Sequence, residues 1–240
     1  MKTFQRIMRL TFSILIPISI FVLLVACKKS MTSNQPQYNA TAKKYLALGD
    51  SYTIGQSVAV EERFPNQTNV LLATQAVAVN TPDIIAVTGW TTTNLLNALN
   101  ASPPANDFDF VTLLIGVNNQ YQGKSIDEYK NEFTVLLNRA IKYAGNRKSR
   151  VFVLSIPDYS VTPFAQGSDT AAISTQIDAF NLANKNITTQ LGVTYVDITP
   201  VSREAAKDKS LIATDGLHPS GKQYKRWAEL LAPLVKASLY

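Results

Sequence analysis

The chain is predicted to fold as a three-layer α/β/α sandwich around a mostly parallel five-stranded sheet. Three observations carry this expectation. Five short apolar runs recur from position 45 onward, each run ends in a polar turn, and helical periodicities fill the intervals. Apolar runs without alternation suit strands buried on both faces, as in a parallel sheet. Alternating strands and helices cover such a sheet on both sides. In open sheets of this kind, ligands bind beyond the carboxyl ends of the strands.

The elements follow in order. Strands are expected at 45–48, 84–87, 110–115, 151–154 and 193–196. Their exits are Gly49-Asp50-Ser51, Thr88-Gly89-Trp90, Gly116-Val117-Asn118, Ser155-Ile156-Pro157-Asp158 and Asp197. Ser51, Gly89, Asn118 and Asp158 are therefore expected on one rim. Ser125 and Glu128 form a capping box ahead of Tyr129, Phe133, Leu136, Ala140 and Ile141 at helical spacing. Ile173, Ile177, Phe180 and Ile187 mark a second helix. Ser220 and Gln223 open a last helix with Tyr224, Trp227, Leu231 and Leu234 on one side, which Pro233 should kink or shorten. Weaker helical patterns cover 66–78 and 91–99. There is no internal repeat and no second globular domain.

The N-terminus reads as a targeting segment. Lys2, Arg6 and Arg9 precede an apolar stretch over 10–26 that ends in Leu24-Val25-Ala26-Cys27. This resembles a bacterial lipobox, which implies cleavage before Cys27 and lipidation of that residue. A plain transmembrane anchor is the alternative reading, seventeen apolar-rich residues being at the lower limit for a span. Residues 28–41 are polar and aperiodic and read as a flexible tether with a reach of roughly 20 Å. The expected organisation is thus a signal at 1–26, a lipidated Cys and tether at 27–43, and a domain at 44–240. The lipobox resemblance implies a lipid-anchored protein of the bacterial envelope. Lys28 after the Cys resembles the outer-membrane rather than the inner-membrane signal.

The charge sorts accordingly. The chain carries 23 basic and 17 acidic residues, a net of +6. Seven of the basic residues precede Tyr45 and all 17 acidic ones follow it, so the remainder has a net charge of −1. Nucleic-acid binding loses its support, because phosphate recognition needs a basic face on the domain. The single Cys excludes an internal disulfide, and the single His excludes multi-His metal sites.

That one histidine, His218, lies in Asp215-Gly216-Leu217-His218-Pro219. A serine nucleophile needs a base, and the base needs a carboxylate to hold its tautomer. A turn at Gly216 is able to bring Asp215 back to Nδ1 of His218, leaving Nε2 for Ser51; the alternative is a surface His beside an Asp that caps a turn. Acyl transfer also needs donors for the developing oxyanion. The Ser51 N–H, the Gly89 N–H and the Asn118 amide are candidates. Taken singly, each motif also reads as ordinary structure: Ser51 as a helix cap, Gly89 as a tight turn, Asn118 as an Asx-turn.

Taken together, GDSYTIG, TGWTT, IGVNN and DGLHPS resemble in order the four blocks of the SGNH superfamily, the GDSL-type ester hydrolases. The resemblance implies a flavodoxin-like fold. It also implies a Ser51–His218–Asp215 triad, an oxyanion hole of Ser51, Gly89 and Asn118, and no metal or cofactor. Tyr52 replaces the Leu of the GDSL name, and Asn119 stands where many members carry Asp. Asp50, beside the nucleophile, is read as structural. Tyr52, Trp90, Tyr121, Tyr159 and Phe164 are candidate pocket residues, or core packing, and 158–167 is a candidate flap. The expected function is serine-dependent hydrolysis of short-chain acyl or lysophospholipid-like esters. A carbohydrate O-acetylesterase and a non-catalytic envelope binding lipoprotein are the alternatives.

Overall fold

The computed structural model describes residues 41–240. The expectations for the signal segment, for Cys27 and for most of the tether lie outside the described residues. Ala42 is buried and Lys43 pairs with Val79 in an isolated parallel bridge, so both pack with the domain expected to begin at 44.

Five parallel strands form one sheet: β1 (Tyr45–Gly49), β2 (Asp83–Ala86), β3 (Phe110–Leu114), β4 (Val151–Leu154) and β5 (Thr194–Val196). Their order is β2-β1-β3-β4-β5, with Ala47 opposite Ile84 and Thr112, and Leu113 opposite Val153. This is the flavodoxin-like order, whose topological switch falls between β1 and β3. The central strands β1, β3 and β4 are buried throughout. The edge strands β2 and β5 are partly exposed, so the expectation of five fully buried strands holds only for the centre. An edge strand lacks one neighbour, and β2 accordingly begins with exposed Asp83.

Helices cover both faces. α1 (Ser51–Ile54) follows β1, then α2 (Phe64–Ala73), α3 (Thr92–Ala101), α4 (Val117–Tyr121), α5 (Ile126–Tyr143), α6 (Thr170–Gln190), α7 (Thr199–Arg203) and α8 (Gly221–Leu239). α2 packs on α8, and α5 packs on both α3 and α6. The capping signals hold locally. Ser125 accepts the Glu128 N–H at 3.1 Å and Ser220 accepts the Gln223 N–H at 3.4 Å. Helix α2 starts earlier than its periodicity suggested, because Pro65 suits the first turn, where no N–H is needed.

Pro233 does not shorten α8, which continues to Leu239. Pro233 and Glu229, whose carbonyl loses its partner, both lie on the exposed side, where water substitutes. Leu234 is also exposed, and Val235 takes its place against the core. Beneath α2 and α8 sit Phe64, Tyr224 and Trp227, with Tyr224 and Trp227 edge-to-face at 5.1 Å. The core is pinned in the sheet by Tyr45, which stacks on Phe110 at 4.2 Å and hydrogen-bonds Thr112 at 2.9 Å.

Candidate active site

The nucleophile candidate is set by the exit of β1. A Cβ at Gly49 would run into Thr53 and the Leu114 carbonyl, so only glycine lets the chain turn here. Asp50 caps α1, its Oδ1 accepting the Tyr52 N–H at 3.0 Å. The cap is thus Asp50, and Ser51 is the first helical residue. Burial pushes the Asp50 carboxyl up to about 7 against the pull of the Tyr52 and its own backbone N–H groups. The structural role expected for Asp50 is the one observed.

The β2 exit brings Gly89 alongside, at φ +83°, a conformation that favours glycine. The β3 exit is sharper. Gly116 has φ +135°, and a Cβ there would lie 2.7 Å from both Ile156 and Tyr129. Asn118 follows, donating its side-chain amide to the Trp90 carbonyl at 3.0 Å. That bond uses one of the two amide hydrogens and leaves the other. Asn119 is fully buried and ties the two exits together. Its Oδ1 accepts the Thr92 N–H at 3.0 Å and its Nδ2 donates to Thr92 Oγ1 at 2.7 Å. Thr92 Oγ1 in turn donates to the Glu132 carboxylate. An amide both accepts and donates in this relay, which an ionised Asp does not. The departure from the common family pattern thus has a local reason.

The base candidate comes from the loop before α8. Gly216, at φ +74°, closes a turn in which Ala213 N–H donates to the His218 carbonyl at 2.7 Å. Asp215 Oδ1 accepts the N–H groups of Leu217 and His218, both at 2.9 Å. Asp215 Oδ2 lies 2.6 Å from His218 Nδ1 and accepts the Ser57 hydroxyl at 2.7 Å. Partial burial pushes the Asp215 carboxyl up, but these donors outweigh it and hold it at about 2. An ionised carboxylate only accepts, so Nδ1 carries the proton and Nε2 is left with its lone pair.

Ser51, Gly89, Asn118 and His218 line one cleft at the carboxyl ends of β1, β2 and β3. Asp215 stands behind His218. Of the expected pocket residues, Tyr52, Tyr121, Tyr159 and Phe164 line the cleft. Trp90 does not. It packs partly buried against the core, and its contribution is the carbonyl that holds Asn118. Asp158 lies beside the cleft, in a small cavity it shares with Tyr52, Tyr159 and His218, and does not line the cleft itself. It is buried, accepting Ser174 Oγ at 2.7 Å and Arg203 Nε at 2.9 Å, so it anchors its loop. The expected flap is consequently a fixed wall. It forms two 3₁₀ turns, Tyr159–Val161 and Pro163–Ala165, and the Phe164 N–H donates to the Gly216 carbonyl at 3.0 Å. Tyr121, Tyr159 and Phe164 form an aromatic triangle with centroids 6.0 to 6.3 Å apart.

Thr88, Val117 and Leu217 also line the cleft and were not anticipated, although each adjoins a motif residue and adjacency alone points to them. Ser57 was missed as well, and nothing in its sequence surroundings marks it.

Comparison with solved structures finds the same fold elsewhere. The lipase Lip_vut3 from a goat rumen metagenome superposes with a TM-score of 0.65 at 20% identity, over 80% of this chain and 97% of that one. The psychrotrophic esterase EstA from Pseudoalteromonas sp. gives 0.62 at 15% identity, over 81% and 97%. Axe2, an acetyl xylan esterase from Geobacillus stearothermophilus, gives 0.60 at 17%, over 80% and 94%. These similarities establish the shared fold. No curated protein sequence matches the chain. The model of the GDSL-like Lipase/Acylhydrolase family matches residues 47–226, from within β1 to within α8 and across every motif described above. The chain therefore belongs to the GDSL-like lipase/acylhydrolase family and is a carboxylic ester hydrolase.

Proposed function

We propose that the chain hydrolyses neutral carboxylic esters through an acyl-enzyme formed on Ser51. The observation that carries this reading is the 2.6 Å contact of Asp215 with His218 Nδ1, in a cleft that His218 shares with Ser51. His218 takes the Ser51 proton as Oγ attacks the ester carbonyl. The tetrahedral oxyanion is held by the Ser51 and Gly89 N–H groups and the free amide hydrogen of Asn118. His218 then protonates the leaving alcohol. A water, deprotonated by the same base, attacks the acyl-enzyme and releases the acid. Among the described residues no Lys, Arg, Asp or Glu lines the cleft, which favours substrates of no net charge over anionic ones.

His218→Ala tests the mechanism cleanly, because no second histidine can substitute. Turnover of p-nitrophenyl acetate and butyrate should fall by roughly a thousandfold or more. Activity near that of the wild type would sink the reading. Labelling by a fluorophosphonate probe, lost in Ser51→Ala, excludes a non-catalytic binding role.

For the substrate, short-chain acyl and lysophospholipid-like esters come first. A carbohydrate O-acetyl ester is the second reading, supported by the rings of Tyr121 and Phe164, which are 59% and 47% exposed on the cleft wall. A partly exposed aromatic face is a platform for a sugar ring. Turnover of acetylated xylan against lysophosphatidylcholine separates the two. Anchoring to a bacterial envelope membrane through lipidated Cys27, the outer membrane in preference to the inner, belongs to the same proposal. Labelled palmitate should enter the wild-type protein and not Cys27→Ser.

A further inference from the structure

The carboxylate of Asp215 is only partly sheltered, its side chain being 29% exposed, so water competes for it. Three of its four hydrogen-bond donors come from its own turn: the Leu217 and His218 N–H groups and His218 Nδ1. The fourth is Ser57 Oγ, at 2.7 Å and 158 residues away in the chain. Ser57 lies on the loop that leaves α1, six residues after Ser51. We infer that Ser57 is a positioning residue whose hydroxyl latches the Asp215–His218 turn to the loop carrying Ser51. The inference rests on the catalytic reading given above.

A second observation agrees. Ser57 holds φ +66°, a left-handed conformation that disfavours residues with a Cβ. The other described non-glycine residues with positive φ, Ala76 and Asn146, follow α2 and α5, whereas Ser57 bonds the Asp215 carboxylate. Backbone held in a disfavoured region beside a site points to a geometric demand there. The loop is set up by Gly55, itself left-handed at φ +69°, which ends α1 and turns the chain toward Asp215. The titratable groups around the pair come from several elements. They are Tyr52 of α1, whose ring centroid is 5.4 Å from His218, Asp158 and Tyr159 after β4, and Asp50 and Tyr224 beneath. Arg63, which packs against Gly55, faces Tyr224, but among the described residues no Lys or Arg forms an ion pair with Asp215, so the neutral hydroxyl of Ser57 is what draws charge from Oδ2 besides the imidazole.

Two consequences follow. Without the hydroxyl, Oδ2 turns more of its charge to the imidazolium, which binds its proton more tightly. The acidic limb of kcat/KM therefore moves to higher pH. The turn also loses its tie to the nucleophile loop, so kcat falls while KM, set by other residues, stays.

Ser57→Gly is the informative variant, because it removes the hydroxyl and relieves the backbone. Melting temperature should not fall. The acidic limb should rise by about half a pH unit, and kcat should drop roughly three- to tenfold. Ser57→Ala should show the same limb shift with a melting temperature below that of Ser57→Gly, since a Cβ remains at positive φ. An unchanged limb with kcat within twofold of the wild type overturns the inference. The single histidine supplies a readout that needs no turnover: its Nδ1 proton resonance by NMR. Movement of that resonance in Ser57→Gly supports the latch even if every ester tried is inert, in which case it is the catalytic reading that fails. A resonance that does not move overturns the latch.

Discussion

Asp50 gives a prediction whose size follows from its surroundings. It is 1% exposed and directly precedes the nucleophile candidate. Burial raises its carboxyl from an ordinary 3.8 to about 7. A carboxyl whose pKa rises on folding binds its proton more tightly in the native state than in the unfolded one. Between those two values the native state therefore holds more protons, and stability falls as pH rises. The shift is about three pH units, and each unit is worth about 1.4 kcal/mol, so ionised Asp50 costs about 4 kcal/mol above pH 8. At pH 5 the cost has reached only about 1.5 kcal/mol.

Asp50→Asn keeps the oxygen that accepts the Tyr52 N–H and removes the titration. It adds a buried amide donor, which costs about 1–3 kcal/mol if no partner meets it. That penalty is independent of pH, so the difference between the two proteins isolates the carboxyl. Urea denaturation of wild type and variant at pH 5 and pH 8.5 measures it. Relative to wild type, the variant should gain about 2.5 kcal/mol between the two conditions. A stability difference that is the same at both pH values, within about 0.5 kcal/mol, refutes the reasoning, because Asp50 would then titrate alike in both states.

Three further outcomes follow from the same geometry. Asn119→Asp breaks the relay from Thr92 to Glu132 by setting a second carboxylate against a hydroxyl already committed as a donor. It should lose about 1–3 kcal/mol at neutral pH, measured by thermal or urea melts, and Glu132→Gln in the same chain should return part of it. An Asn119→Asp protein as stable as the wild type contradicts the relay. Phe164→Ala and Tyr121→Ala should raise KM for ring-bearing esters by roughly threefold to tenfold and leave methyl-ester kcat within twofold. Equal effects on both substrate types argue against a ring platform. Asp158→Asn removes the charge that Arg203 meets at 2.9 Å, in a carboxyl held below its ordinary range by the Ser174, Ser160 and Arg203 donors against the opposing effect of burial. Because its folded value lies below the unfolded one, its stabilisation is present at neutral pH and fades as pH falls through the folded value. The variant should therefore lose more stability at pH 7 than at pH 3, and a loss that does not depend on pH contradicts the ion pair's role.

Much of this protein is legible along the chain because its parts are local. A central parallel strand must be apolar on both faces, so β1, β3 and β4 announce themselves. The edges β2 and β5 bury less, yet their apolar runs still mark them. Glycines at strand exits and in the loop before α8 mark where a Cβ has no room or the backbone turns left-handed, and Gly49, Gly89, Gly116 and Gly216 all flank the cleft. Asp215 and His218 are three residues apart, and a tight turn is enough to pair them. Short helices are less visible, because α1, α4 and α7 hold only four or five residues and carry no periodicity.

The amino-acid order by itself therefore determined the strands, the long helices, the order of the motifs and the chemistry each motif offers. Tertiary structure decided which side chains at the strand exits reach the cleft. Trp90 and Asp158 sit at the right places in the chain and point to other tasks, because packing against the core and the Arg203 ion pair claim them. Ser57 has no motif at all and reaches Asp215 only because the sheet brings the first and last segments of the domain together. Asn119 makes the same point, since its need to be an amide is visible only once Thr92 and Glu132 are beside it. Contacts between residues far apart in sequence are properties of the closed fold, and no local pattern encodes them.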